Sequence, residues 1–117
     1  MKKFRIAVFA ALFWSQANAG EFTPSDYSPV EEAVIKTLRI DRDDEYRVVV
    51  VGIANRGARP FNASYSCTLL DPSGSPFDET GGSASTVPPG QEVIEKSISF
   101  TTDASGAVCR IEYINYD

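Results

Sequence analysis

The chain has 117 residues, with 11 Lys+Arg against 16 Asp+Glu and no histidine. The acidic balance repels phosphate backbones and argues against a nucleic-acid partner. The missing imidazole removes Ser-His-Asp and Cys-His nucleophile systems, and with them the commonest metal ligand.

The first residues, MKKFRIAVFAALFWSQANAG, read as a secretory signal peptide. Lys2, Lys3 and Arg5 make a short positive segment, Ile6 to Trp14 is an apolar run of nine residues, and Ala17-Asn18-Ala19 is a small-x-small signal for cleavage after Ala19. Nine apolar residues fall short of the roughly 20 that span a bilayer. No later stretch is apolar enough to span. The expected product is therefore periplasmic or secreted, with no membrane span once the leader is removed. The leader takes three of the basic residues and none of the acidic ones, leaving 8 basic and 16 acidic residues on residues 20–117. Those 98 residues are enough for one domain with one core.

Residues 20–29 form an extended lead-in, rich in Thr, Pro, Ser and acids, and residues 30–117 form the domain. Ser28-Pro29-Val30-Glu31 has the residue types of a helix start, so a short helix or turn near 29–34 is expected before a strand from 34 to 40. Asp41 to Glu45 is a charged turn. Tyr46 to Ala54 (YRVVVVGIA) is the strongest strand, β-branched and apolar on both faces, as in a central strand. Asn55 to Pro60 is a loop. Phe61, Ala63, Tyr65, Cys67 and Leu69 alternate with small polar residues, the period of two of a half-buried strand. Asp71-Pro72-Ser73-Gly74 fits a type I turn. Phe77 begins a short strand, and 81–85 carries no clear pattern. After the Val87 to Gly90 turn, a strand is expected over 92–101, with Ile94, Ile98 and Phe100 on one face. A last strand is expected over 107–116, with Ala107, Cys109, Ile111 and Tyr113 on one face.

Cys67 and Cys109 both fall on apolar faces of the exported part, and an even cysteine count in an oxidising compartment reads as a disulfide. The bridge closes a loop of about 43 residues, worth roughly 4 kcal/mol in the chain-entropy model. Short strands separated by Gly/Pro turns, with little helix, indicate an all-β, immunoglobulin-like antiparallel sandwich.

Val51-Gly52-Ile53-Ala54-Asn55, Cys67-Thr68-Leu69-Leu70-Asp71 followed by Gly74, and Pro89-Gly90-Gln91 together resemble the first strand, naming motif and late turn of FxLYD domains, small bacterial exported immunoglobulin-like modules. The resemblance covers residues 46–114. Cys67 and Leu70 stand where the motif has Phe and Tyr. The resemblance implies an extracytoplasmic module without catalytic residues, and it implies no ligand.

The chemistry search points the same way. Counted from Asp41, an EF-hand would need Gly at position 6 and Glu at 12, where this chain has Tyr46 and Gly52. No Gly-rich phosphate loop is present. Asp71, Asp78 and Glu79, three acids of one loop, are the ones from which a glycosidase-like carboxylate pair would be drawn. Asn62-Ala63-Ser64 matches the N-glycosylation pattern. No catalytic residue, cofactor or metal site is expected. Arg56 and Arg59, beside Phe61, are the candidate contact for an acidic partner. The expected function is a non-enzymatic module binding an unknown protein or envelope component. The alternative is a small exported enzyme inhibitor of the lysozyme-inhibitor kind, an acidic protein suited to a basic enzyme.

Overall fold

A computed structural model describes residues 26–116. The expected leader, 1–19, and the first part of the expected lead-in, 20–25, lie outside the described residues. Six strands succeed one another, with no helix among the described residues: β1 (Ala33–Arg42), β2 (Arg47–Asn55), β3 (Phe61–Leu70), β4 (Pro76–Val87), β5 (Glu92–Ser99) and β6 (Gly106–Tyr116). They form two three-stranded antiparallel sheets, ordered β1-β2-β5 and β4-β3-β6. This is the all-β, two-sheet architecture expected from the alternation.

The core lies between the sheets. In β3 every second residue is buried, from Phe61 through Ala63, Tyr65 and Cys67 to Leu69. They pack with Ala33 and Ile35 of β1 and Val49, Val51 and Ile53 of β2 in one cluster. Full burial of each larger side chain contributes about 1.5–3 kcal/mol. Cys67 and Cys109 are direct cross-strand partners and form the expected disulfide. The bridge joins neighbouring strands of one sheet, whereas the antibody-domain bridge crosses between sheets.

Both sides of the sandwich are closed by polar side chains. A bulge in β1 shifts the register between Thr37 and Arg39. The Asp26 carboxylate accepts hydrogen bonds there from the Thr37 amide (2.7 Å), the Thr37 hydroxyl (2.9 Å) and the Cys109 amide of β6 (2.8 Å). Next to it, Tyr27 makes a parallel bridge to Arg110: its amide donates to the Cys109 carbonyl (3.1 Å) and its carbonyl accepts from the Ile111 amide (2.9 Å). On the other side the Thr80 hydroxyl of β4 donates to the Ile98 carbonyl of β5 (2.9 Å), and the Ser99 hydroxyl donates to Asp78 (3.1 Å).

One open alternative resolves to a turn, and two local expectations are corrected. Residues 29–32 form bends and a turn where a short helix was the alternative. The Ser28 hydroxyl there bonds both the amide and the carbonyl of Val30, a local closure that competes with helical pairing. The patternless 81–85 stretch lies inside the twelve-residue β4. Its glycines reflect close approach: a Cβ on Gly81 would stand 2.5 Å from the Tyr65 carbonyl oxygen. Tyr113 does not share the core face of Cys109 and Ile111. A bulge between Ser64 and Tyr65 leaves Tyr113 opposite the outward-facing Ser64, and it is 59% exposed.

Candidate functional site: an apolar, cationic sheet face

The loop that presents Arg56 and Arg59 is fixed by Asn55. Its buried side-chain amide donates to the carbonyls of Arg59 (2.7 Å) and Val87 (2.9 Å), and its side-chain oxygen accepts from the Gly57 amide (2.8 Å). The three residues singled out there have separate fates. Phe61 is fully buried and meets Tyr116 edge-on at 6.5 Å, so it is core and offers no contact to a partner. Arg59 stacks its guanidinium 3.8 Å over the Tyr116 ring. The Tyr116 hydroxyl donates to the Glu32 carboxylate. That bond holds Glu32 below the usual carboxylate range, with Arg59 adding to the effect, and it pushes the Tyr116 hydroxyl up against the opposing pull of Arg59. Arg59 is therefore engaged within the chain. Arg56 is exposed, and it lines a shallow depression of about 450 Å³ with Val34, Lys36, Ala54, Gln91 and Glu92.

That depression is one end of a larger surface. Residues paired directly across antiparallel strands share a face. The core-facing rows of the first sheet are Ile35–Ile53–Val93 and Thr37–Val51–Glu95. The row before them, the one between them and two that follow point away from the core: Val34–Ala54–Glu92, Lys36–Gly52–Ile94, Arg39–Val50–Lys96 and Asp41–Val48–Ile98. On this outer face Ile94 and Ile98 are each 51% exposed, and Phe100, just past β5, is 79% exposed. Phe100 meets Tyr46 edge-on at 6.3 Å. Inward, the same strand presents Ser97 and Ser99, both buried. The strand thus turns its isoleucines outward and its serines inward, the reverse of an ordinary edge strand. Ile94, Ile98 and Phe100 keep the shared face expected of them, and that face meets solvent.

The valine run of β2 accounts for the rest. Val49 and Val51 belong to the core, while Val48 and Val50 serve the outer face. Val50 is fully covered although it points away from the core, and its cross-strand neighbours are Arg39 and Lys96. Their aliphatic stems suit that position and leave the charged heads in water. Lys36 and Lys96, the only lysines among the described residues, both stand on this face, and neither makes an ion pair there. Arg39 is paired with Asp41 at 2.8 Å. The sequence held a signal for this face: four consecutive valines in a chain too short for a third layer must leave half of them outside the core.

The carboxylates considered for chemistry do not converge. Asp71 accepts from the amides of Ser73 and Ser75 (2.9 Å each) and shapes its own turn. Asp78 bonds Ser99 toward the core, and Glu79 faces outward against Arg110 at 3.3 Å. Asn62 holds Asn115 (3.0 Å) and the Thr86 amide (2.7 Å). No group of three or more Cys, Asp or Glu among the described residues is placed to hold a metal ion. No helix among them is long and apolar enough to cross a membrane.

No family model matches the sequence, and no curated protein is a significant match to it. Two solved structures share the fold. A DUF1425 family member from Shewanella sp. PV-4 superposes with a TM-score of 0.54 at 12% identity, over 71% of this chain and 76% of that one. Cj0090 of Campylobacter jejuni superposes with a TM-score of 0.53 at 17% identity, over 81% of this chain and all of that one. At these identities the likeness shows a small all-β domain and nothing about activity. The disulfide is compatible with an exported protein.

Proposed function

We propose that the protein is an exported, non-enzymatic module of FxLYD-like, immunoglobulin-like design that binds a protein or envelope component. The outer face of the β1-β2-β5 sheet carries this reading. Exposed apolar side chains gathered on one face mark interaction sites more than singly scattered ones do, and here Ile94 and Ile98 of β5, Phe100 just past it and Val48 beside them are gathered on one face. Two further observations support it. The acids of the 71–79 region are occupied separately in turn and seam bonds, and the exposed Arg56 lines the depression at the end of the same face.

The test is affinity capture from native envelope extract with the oxidised, exported protein, run beside the Ile94→Ser/Ile98→Ser double variant. The expected result is a partner retained by the parent and lost by the variant. Equal retention by both proteins removes the face from the reading, and no retention by either removes binding.

A further inference from the structure

Resting on that reading, we infer that the partner offers this face an amphipathic, acidic α-helix, apolar along one side and flanked by carboxylates. The dimensions fit. Three strands at about 4.8 Å spacing make the face roughly 10 Å across, and four rows at two-residue steps make it roughly 20 Å long. A helix is about 10 Å wide and rises 1.5 Å per residue, so about 13 residues cover the face. Val48, Val50, Gly52 and Ala54 run down its middle. At Gly52 the flexible Glu92 side chain lies over the line, and it has to swing aside for an occupant to reach the glycine.

Charge selects the occupant. Lys36 and Lys96 flank the apolar line from opposite strands with no ion pair among the described residues, and Arg56 stands at its end. A second copy is a poor complement. Face to face about an axis along the strands, the Arg39 of one copy meets the Lys96 of the other. About an axis across the strands, Lys36 meets Arg39. Either way cation opposes cation, and charges sit over Ile94 or Ile98. An anionic bilayer or a nucleic acid is an extended polyanion that meets the whole chain, which carries twice as many acidic as basic residues beyond the leader. Strand addition along the β5 edge is blocked at Ile98, whose carbonyl is already bonded by Thr80. Docking onto the face leaves that edge bond intact, in the helix-in-groove manner with anchors spaced three and four residues apart.

The probe is a synthetic 14-residue helical peptide with Leu on one side and Glu on its flanks, titrated into the exported, isotope-labelled protein and followed by NMR. A second peptide carries Lys in place of Glu. Shifts on Lys36, residues 48–54 and residues 94–98 are expected with the acidic peptide, together with binding at least tenfold weaker for the basic one. The Lys36→Glu/Lys96→Glu variant should lose the acidic peptide by tenfold or more and gain the basic one. That exchange separates charge recognition from loss of fold. The inference is overturned if both peptides bind alike, if the shifts map elsewhere, or if sedimentation shows a dimer formed through this face. It is also overturned if the protein binds anionic phosphatidylglycerol vesicles while neither peptide binds. Failure here with success of the capture experiment would leave a binding module whose partner is not an acidic helix.

Discussion

The two sheets present opposite outer faces. On the β4-β3-β6 sheet, the outward residues of β3 are Asn62, Ser64, Ser66 and Thr68; β4 and β6 add Glu79, Arg110 and Glu112, with Tyr113 and Val108 as the apolar members. Hydrogen bonds tie that surface to itself: Ser66 donates to Glu112, and Arg110 donates to Thr68 (3.1 Å) while pairing with Glu79 (3.3 Å) and Glu112 (3.0 Å). On the β1-β2-β5 sheet the corresponding surface combines valine and isoleucine with Glu92, the paired Arg39 and Asp41, and two lysines without ion pairs among the described residues. The disulfide belongs to the polar-faced sheet. One sheet ties its polar surface to itself, and the other leaves isoleucines and lysines exposed, the contrast on which the proposed binding rests.

Reducing the disulfide should break this division most severely. Loss of the bridge should cost about 2–5 kcal/mol, read by urea unfolding with and without reductant. Native-state hydrogen exchange should then show the largest loss of protection in β3 and β6, strands joined by the bridge. A uniform loss across both sheets would mean that the bridge stabilises the whole fold alike.

A smaller effect distinguishes two glycines. Ala at Gly81 places its Cβ against backbone, 2.5 Å from the Tyr65 carbonyl oxygen, and should cost about 1–3 kcal/mol as overpacking. Ala at Gly52 meets only the end of the Glu92 side chain, which can swing away, so its cost should stay below about 1 kcal/mol. Thermal unfolding of the two variants checks the order, and equal losses would mean that the contact face is packed as tightly as the polar one.

Smaller still, Ile94→Ser and Ile98→Ser should change stability by no more than about 0.5 kcal/mol, because both side chains are half exposed. Loss of several kcal/mol in urea would place them in the core and undo the contrast between the faces. The smallest effect is electrostatic. The Ser73 hydroxyl, then the Ser75 amide, hold the Asp71 carboxyl below its usual range. A depressed pKa in the folded state adds stability above the unfolded value, and that stability is lost as pH falls through the folded value. Asp71→Asn should therefore flatten the acid side of the melting-temperature profile, below about pH 4, and an unchanged profile would show that the turn bonds carry no such linkage.

Most of the fold was legible in the sequence. The faultless alternation of 61–69 and the valine run located β3 and β2, and the apolar faces of Cys67 and Cys109 led to the bridge. Only the start of β4 was legible, as the short strand from Phe77; its middle was not, because Gly81 and Gly82 answer to the approach of Tyr65 from a neighbouring strand, which no local pattern records. Tyr113 was misplaced because one bulge inverts everything beyond it. The candidate site was half legible. Arg56 sits at its edge as a sequence neighbour of Phe61, yet Phe61 itself is core. Ile94 and Ile98 shared a face as read, but sequence periodicity does not say which face of a sheet is inward. Serine at 97 and 99 was the available hint, and it reads equally well as surface until the partner strands are known.

The most direct measurement is photo-crosslinking in living cells, with a photoreactive residue placed at Ile98 or, as the control, at Tyr113. Both positions are more than half exposed, on opposite outer faces. The account predicts a discrete cross-linked species from Ile98 and none from Tyr113. Cross-linking from Tyr113 with none from Ile98 would contradict it.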